Sequence, residues 1–345
     1  MRLPELSPRA YRYIVAATLA SLVFIMVTGA AVRLTDSGLG CSTWPSCEPD
    51  SFTPRSASDI HGMVEWVNRL ITGAVGLFTL AAVVGARARR PYRDDLFRWS
   101  LGLPAWVFAN ALVGALVVWL HLSPVSVIGH FVLSLAAVWN AVVLYEHASE
   151  EPAPDGARRL LATPAVVTAC RLLLVAAGLV IMTGTLVTGS GPHAGDERAD
   201  RLDLAVDDIV RIHGAAMILF LGVTLAVLWM AHDGDAGPRV VQRLRVLLVV
   251  LVAQAGIGYW QYFTDVPAVL VGFHVFGAAL VWISVLRVWF SLSEPATEGA
   301  TEGATEPVGA PVAGVRPADA SRPETADGGA GRGVDTLRTG AREWT

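Results

Sequence analysis

Eight long stretches with almost no charge set what this chain can fold into. Residues 13–32 carry no charged side chain, and 71–86, 101–120, 125–145, 172–190, 212–231, 246–263 and 266–286 are similar. At 1.5 Å per residue, each is long enough, or nearly so, to cross a hydrocarbon layer ~30 Å thick. Only 16% of the chain is charged, where a soluble protein of this size carries about 25%. The spacing therefore predicts an all-α integral membrane protein with eight transmembrane helices. The first stretch is too long for a secretory leader and ends in no small-residue cleavage site, so it reads as a permanent span.

The basic residues give the orientation. The chain has no lysine, and its arginines gather in alternate connections. Arg2, Arg9 and Arg12 precede the first span; Arg87, Arg89, Arg90, Arg93 and Arg98 lie between the second and third. Arg158 and Arg159 precede the fifth span, and Arg239, Arg243 and Arg245 precede the seventh. The other connections hold Asp36, Asp59, Asp196, Asp203, Asp207, Asp208 and Asp265. Cytoplasmic loops are the arginine-rich ones, so both termini are expected in the cytoplasm of a cell membrane. The net charge of −4 mixes two compartments and a tail; nothing in it suggests a nucleic-acid partner.

The two halves of the chain resemble each other. Thr28-Gly29 near the end of the first span matches Thr183-Gly184 near the end of the fifth, and His61-Gly62 matches His213-Gly214. Asn110 and Gly114 precede His130 by twenty and sixteen residues, and Gln254 and Gly258 precede His274 by the same intervals. Pro124 and Pro267 each open a span shortly before its histidine. Two parallel, pseudo-symmetric four-helix bundles are expected, at 1–149 and 164–292, with a cytoplasmic linker at 150–163. From Ser293 to Thr345 the chain turns to Pro, Gly, Ala, Thr and Glu, a composition expected to stay disordered.

Of eight histidines, His147 and His232 fall at cytoplasmic span ends and read as solvated, while His121 and His193 belong to outward loops. The other four, His61, His130, His213 and His274, fall within the outer parts of spans, two in each half. A single imidazole in a membrane is commonly just a packed, hydrogen-bonded residue. A duplicated pair on the second and fourth helices of a bundle suits a clamp on a heme iron from both sides. Eight glycines near that level (29, 62, 114, 129, 184, 214, 258 and 272) would leave room for a macrocycle, although glycine also serves plain helix packing. Arg33, Arg69 and Arg211 are candidates to pair with heme propionates, or else to reach water.

Glu65 stands one turn deeper than His61 and shares its helix face with Asn68; it is read as having no basic residue on that face. The second half has no acid at the matching place, since helix six continues Ala215-Ala216-Met217-Ile218. An acid taken out of water resists ionisation, which suits proton exchange near neutrality. Cys41 and Cys47, with five residues between them, fall in the first outward loop. That compartment permits a disulfide, the alternatives being free thiols or a metal pair lacking further ligands. Cys170 reads as a small packing residue.

The loop Arg33-Leu-Thr-Asp-Ser-Gly-Leu-Gly-Cys41-Ser-Thr-Trp44-Pro45-Ser-Cys47, with the eight spans, the histidine repeat and the acid on helix two, resembles the heme A synthase family over about residues 10–290. The resemblance implies an oxidoreductase that converts heme O to heme A for cytochrome oxidase, oxidising a porphyrin methyl to a formyl group by successive hydroxylations. It implies a heme b held by His213 and His274 in the C-terminal half. The substrate heme O would sit in the N-terminal half with His130 as a ligand, Glu65 would be catalytic, and Cys41–Cys47 would be bridged. Partners implied are a heme O synthase and an electron donor, with self-association compatible. One departure stands out. The family's helix-two pattern is Glu-x-x-His-Arg, and this chain has Glu65-Trp66-Val67-Asn68-Arg69. His61 could replace the missing ligand, but it lies ~10 Å nearer the outside; His130 alone is the other option. A bis-histidine b-type cytochrome doing only electron transfer is the competing reading, and a parallel-repeat transporter ranks behind it.

Overall fold

The computed structural model describes residues 4–152 and 157–296. It contains eight helices: α1 Pro8–Leu34, α2 Ile60–Ala88, α3 Asp94–Trp119, α4 Pro124–Ser149, α5 Pro164–Ser190, α6 Val206–Asp233, α7 Pro238–Phe263 and α8 Ala268–Phe290. Each is long and apolar enough to cross a membrane, and the chain is a multi-pass membrane protein. Their starts follow from local chemistry. Ser7, Asp59 and Thr163 accept the backbone N–H of Ala10, Gly62 and Val166 at the N-termini of α1, α2 and α5. Proline opens α1, α4, α5 and α7, where its missing N–H costs nothing.

Helix α1 packs on α2 and α4, and α3 on α2 and α4, which closes one four-helix ring. Helices α5, α6, α7 and α8 close a second ring in the same order. The rings meet through α1 and α4 against α8 and through α4 against α5. Their interiors are separate apolar clusters. One centres on Tyr11, Leu96, Leu103, Val138 and Leu144, the other on Leu173, Phe220, Leu244, Leu247 and Leu251. Large apolar residues such as Phe24, Leu77, Phe108, Trp229 and Val249 are exposed along the spans, as lipid-facing residues are. Trp119, Trp260, Tyr262 and Phe263 are exposed at the ends of α3 and α7, where an aromatic belt would meet a headgroup layer.

We call the end bearing the α1–α2 loop the disulfide end and the opposite one the arginine end. At the arginine end the halves are tied by ions. Glu146 of α4, 3% exposed, accepts from Arg287 Nε of α8 at 2.6 Å and Arg239 Nη2 of α7 at 3.2 Å, and lies 4.0 Å from Arg243. Arg239 also donates to Glu150 at 2.7 Å.

Two sequence expectations need correction here. The tail does not begin disordered at Ser293: β1 (Arg158–Leu160), within the linker, pairs antiparallel with β2 (Ser293–Pro295) in the register Arg158↔Pro295, Leu160↔Ser293. Residues expected to start the disordered tail at Ser293 thus form a strand; the rest of the tail lies outside the described residues. His147 is not simply solvated either. It is half-buried against Trp99 and Phe290, with Nδ1 3.5 Å from Asp95, which Arg93 also binds.

Candidate functional site

The C-terminal ring brings two histidines together. His213 on α6 and His274 on α8 have ring centres 6.3 Å apart, with planes at 72°. A histidine nitrogen sits ~2.0–2.1 Å from a bound first-row metal, so two rings on opposite sides of one ion would have centres roughly 6.3 Å apart. Each ring rests on a glycine: a Cβ at Gly184 of α5 would lie 3.0 Å from His213 Cε1, and one at Gly258 of α7 would lie 3.2 Å from His274 Cε1. The tautomer of His213 follows from its neighbour. The Thr183 hydroxyl donates to the Leu179 or Val180 carbonyl (2.9 and 3.0 Å), so it accepts from His213 Nδ1–H at 3.1 Å. Nε2 then keeps its lone pair, as a metal ligand requires. His274 Nδ1 is buried without a hydrogen-bond partner, while its backbone carbonyl accepts from Gln254 Nε2 at 2.8 Å.

The N-terminal ring repeats half of this. His130 on α4 rests on Gly114 of α3, whose Cβ would lie 3.4 Å from Cε1, and its Nδ1 is also buried and unpartnered. Ser134 lies within reach of both the His130 carbonyl (2.9 Å) and Asn110 Oδ1 (3.0 Å). Asn110 thus occupies the place that Gln254 holds in the second half. His61 departs from the repeat. It is exposed, at the second residue of α2, with Nδ1 3.1 Å from Ser37 Oγ in the loop. Asn68 Oδ1 is buried and has no hydrogen-bond partner among the described residues.

The expectation that Glu65 has no base on its own face does not hold. Arg69, one turn on, pairs with Glu65 Oε1 at 2.5 Å. Glu65 Oε2 accepts from the Cys41 N–H at 2.8 Å. Arg69 Nη1 also donates to the Thr43 and Ser46 carbonyls at 2.9 and 3.0 Å. The loop these residues hold is closed by a Cys41–Cys47 disulfide whose two cysteines are fully buried. Trp44 of that loop meets Trp119 at the end of α3 edge to face. The acid and its arginine thus dock the disulfide loop onto the N-terminal ring.

The other candidate arginines have protein partners too. Arg33 donates to the Thr188 carbonyl of α5 at 2.8 Å, so it ties the halves together at the disulfide end. Arg211 is largely exposed and lies 3.4 Å from Asp208. Sequence reasoning did not single out Ser37 or the roles of Thr183 and Arg69. The Glu65–Arg69 spacing of four was the available signal for the last.

A family model described as "cytochrome oxidase assembly protein" matches residues 12–195, just over half of the chain. The chain belongs to that family. Among its relatives are the heme A synthases of Bacillus cereus (strain 03BB102) and Bacillus anthracis (strain A0248). Each is 25% identical over 289 residues, covering 77% of this chain and 88% of the relative. A protoheme IX farnesyltransferase of Haloarcula marismortui is 30% identical over 136 residues, or 37% of this chain and 28% of that protein. The matched region takes in α1 from Arg12 onward, α2 to α5 and the disulfide loop.

Proposed function

We propose that this family member is a heme A synthase, an oxidoreductase that oxidises a methyl group on the rim of heme O to a formyl group through successive hydroxylations. The observation that carries the proposal is the His213–His274 pair, set at the separation one iron between two imidazoles requires. Both rings sit against glycines, where an added Cβ would press on the imidazole at 3.0 and 3.2 Å. The heme A synthases among its relatives support the reaction class.

In this reading His213 and His274 would hold heme b, which when bound supplies one-electron redox chemistry. His130 would hold the substrate heme in the N-terminal ring. Thr183 fixes the His213 tautomer by accepting Nδ1–H. Gly114 leaves room for the His130 ring against α3. Glu65 is the carboxylate nearest the N-terminal site along α2, and it would stabilise positive charge developing at the substrate rim. In the described residues its two oxygens accept from the Cys41 N–H and from Arg69. Arg69, held by the loop and Glu65, is better placed to orient that acid than to bind a propionate. Arg33 and Arg211 keep donors for propionates. The arginine-rich connections support a cytoplasmic arginine end, which would leave the disulfide end outside the cell membrane. A heme O synthase would supply the substrate and a separate donor the electrons.

The test is to co-express the chain with a heme O supply and identify the extracted heme by mass. A formyl-bearing product is expected. Unaltered heme O, with heme b still bound, would leave the chain as an electron-transfer cytochrome.

A further inference from the structure

The internal repeat makes one position in the N-terminal ring conspicuous. Three histidines share one depth: His213 lies seven residues beyond the first residue of α6, and His130 and His274 each lie six beyond the first residues of α4 and α8. Each rests on a glycine of the preceding helix. At the matching depth of α2, eight residues beyond Ile60, stands Asn68. Its Oδ1 is buried and unpartnered, like the Nδ1 atoms of His130 and His274. His61 lies seven residues, ~10 Å, nearer the disulfide end. It is exposed, and its Nδ1 is engaged by Ser37. The glycines agree. A Cβ at Gly184 would strike the His213 ring, whereas a Cβ at its repeat counterpart Gly29 would meet nothing within 4 Å. No imidazole packs on Gly29.

We infer that the N-terminal site grips iron through one imidazole, His130, with the Asn68 carboxamide facing the opposite axial position. The site then differs in kind from its twin. The second half makes a closed, two-ligand site suited to electron transfer. The first half makes a site whose sixth position is open to a small exogenous ligand, since a neutral amide is a poor ligand for iron beside imidazole. This rests on the assignment of His130 to a heme site made above.

The test uses the full chain, purified with its heme and supplemented with hemin. Heme per chain, ferric electron paramagnetic resonance and carbon monoxide difference spectra of the reduced protein are recorded. One low-spin and one high-spin heme are expected, with carbon monoxide binding one heme per chain. Asn68→His should convert the high-spin signal to low-spin and abolish carbon monoxide binding at unchanged heme content, while His61→Ala should change neither. If Asn68→His does not accumulate, imidazole titrated into the wild-type protein should saturably convert the same signal. Two low-spin hemes with no carbon monoxide binding would overturn the inference. So would a carbon monoxide site that appears only in His61→Ala, because His61 would then be the missing ligand. A chain with one heme, untouched by His130→Ala, would overturn the His130 assignment itself and the inference with it.

Discussion

Thr183 shows how one side chain sets the chemistry of another. Its hydroxyl is committed to a carbonyl of its own helix, so it accepts from His213 Nδ1, and that choice leaves the free lone pair on Nε2. Thr183→Val keeps the shape and removes the acceptor. Heme affinity of the C-terminal site should fall roughly 10- to 100-fold, as loss of a partner behind a ligating histidine does. A shifted heme b midpoint potential in redox titration would accompany it; unchanged retention and potential would show that the hydrogen bond has no part in ligation. The histidines themselves were legible in the sequence because duplication marked them. The repeat paired His61-Gly62 with His213-Gly214, while the spacing from Glu65 pointed to Asn68. Counting from the first residue of each helix also pairs Asn68 with His213.

Among the elements, α2 does most of the positioning at the disulfide end. One turn of it carries both Glu65 and Arg69, and together they fasten the disulfide loop through the Cys41 N–H and two loop carbonyls. Both side chains are largely buried. Arg69→Ala would strand the Glu65 carboxylate, a change that costs about 3 kcal/mol where a buried pair is broken. The expected result is a lower Tm and faster reduction of the Cys41–Cys47 bridge by added thiol, with the His213–His274 heme spectrum unaltered. Arg69→Lys should restore part of the loss. An unchanged reduction rate in Arg69→Ala would show that the loop holds itself. Helix identity was legible throughout, because each span is an apolar run bounded by a cap, a proline or charge. The three-residue strands β1 and β2 were not. Their pairing joins segments more than 130 residues apart and has no periodicity to read.

For the whole molecule, the question is what keeps two rings in fixed register. Trp282 Nε1 of α8 donates to the Leu135 carbonyl of α4 at 3.1 Å, and Arg33 reaches Thr188 at the other end. The largest single tie is Glu146, one buried carboxylate among three arginines from the other half. Removing it leaves like charges facing each other. Glu146→Ala should cost about 3 kcal/mol and lower the Tm, while each half keeps its own heme spectrum; a Tm equal to wild type would mean the apolar seam suffices. The sequence showed Glu146 only as one acid near the end of a span. Its three partners come from the far half of the chain, and only the packed fold brings them together.

The proposed function requires α6 and α8 to grip one iron between them. The direct measurement is ferric electron paramagnetic resonance with heme quantitation on the wild-type protein and on His213→Ala and His274→Ala separately. Each substitution should erase the same low-spin signal and lower heme content by one equivalent per chain. A low-spin signal that survives either substitution, or a wild-type preparation with no Soret band even after hemin is added, would contradict it.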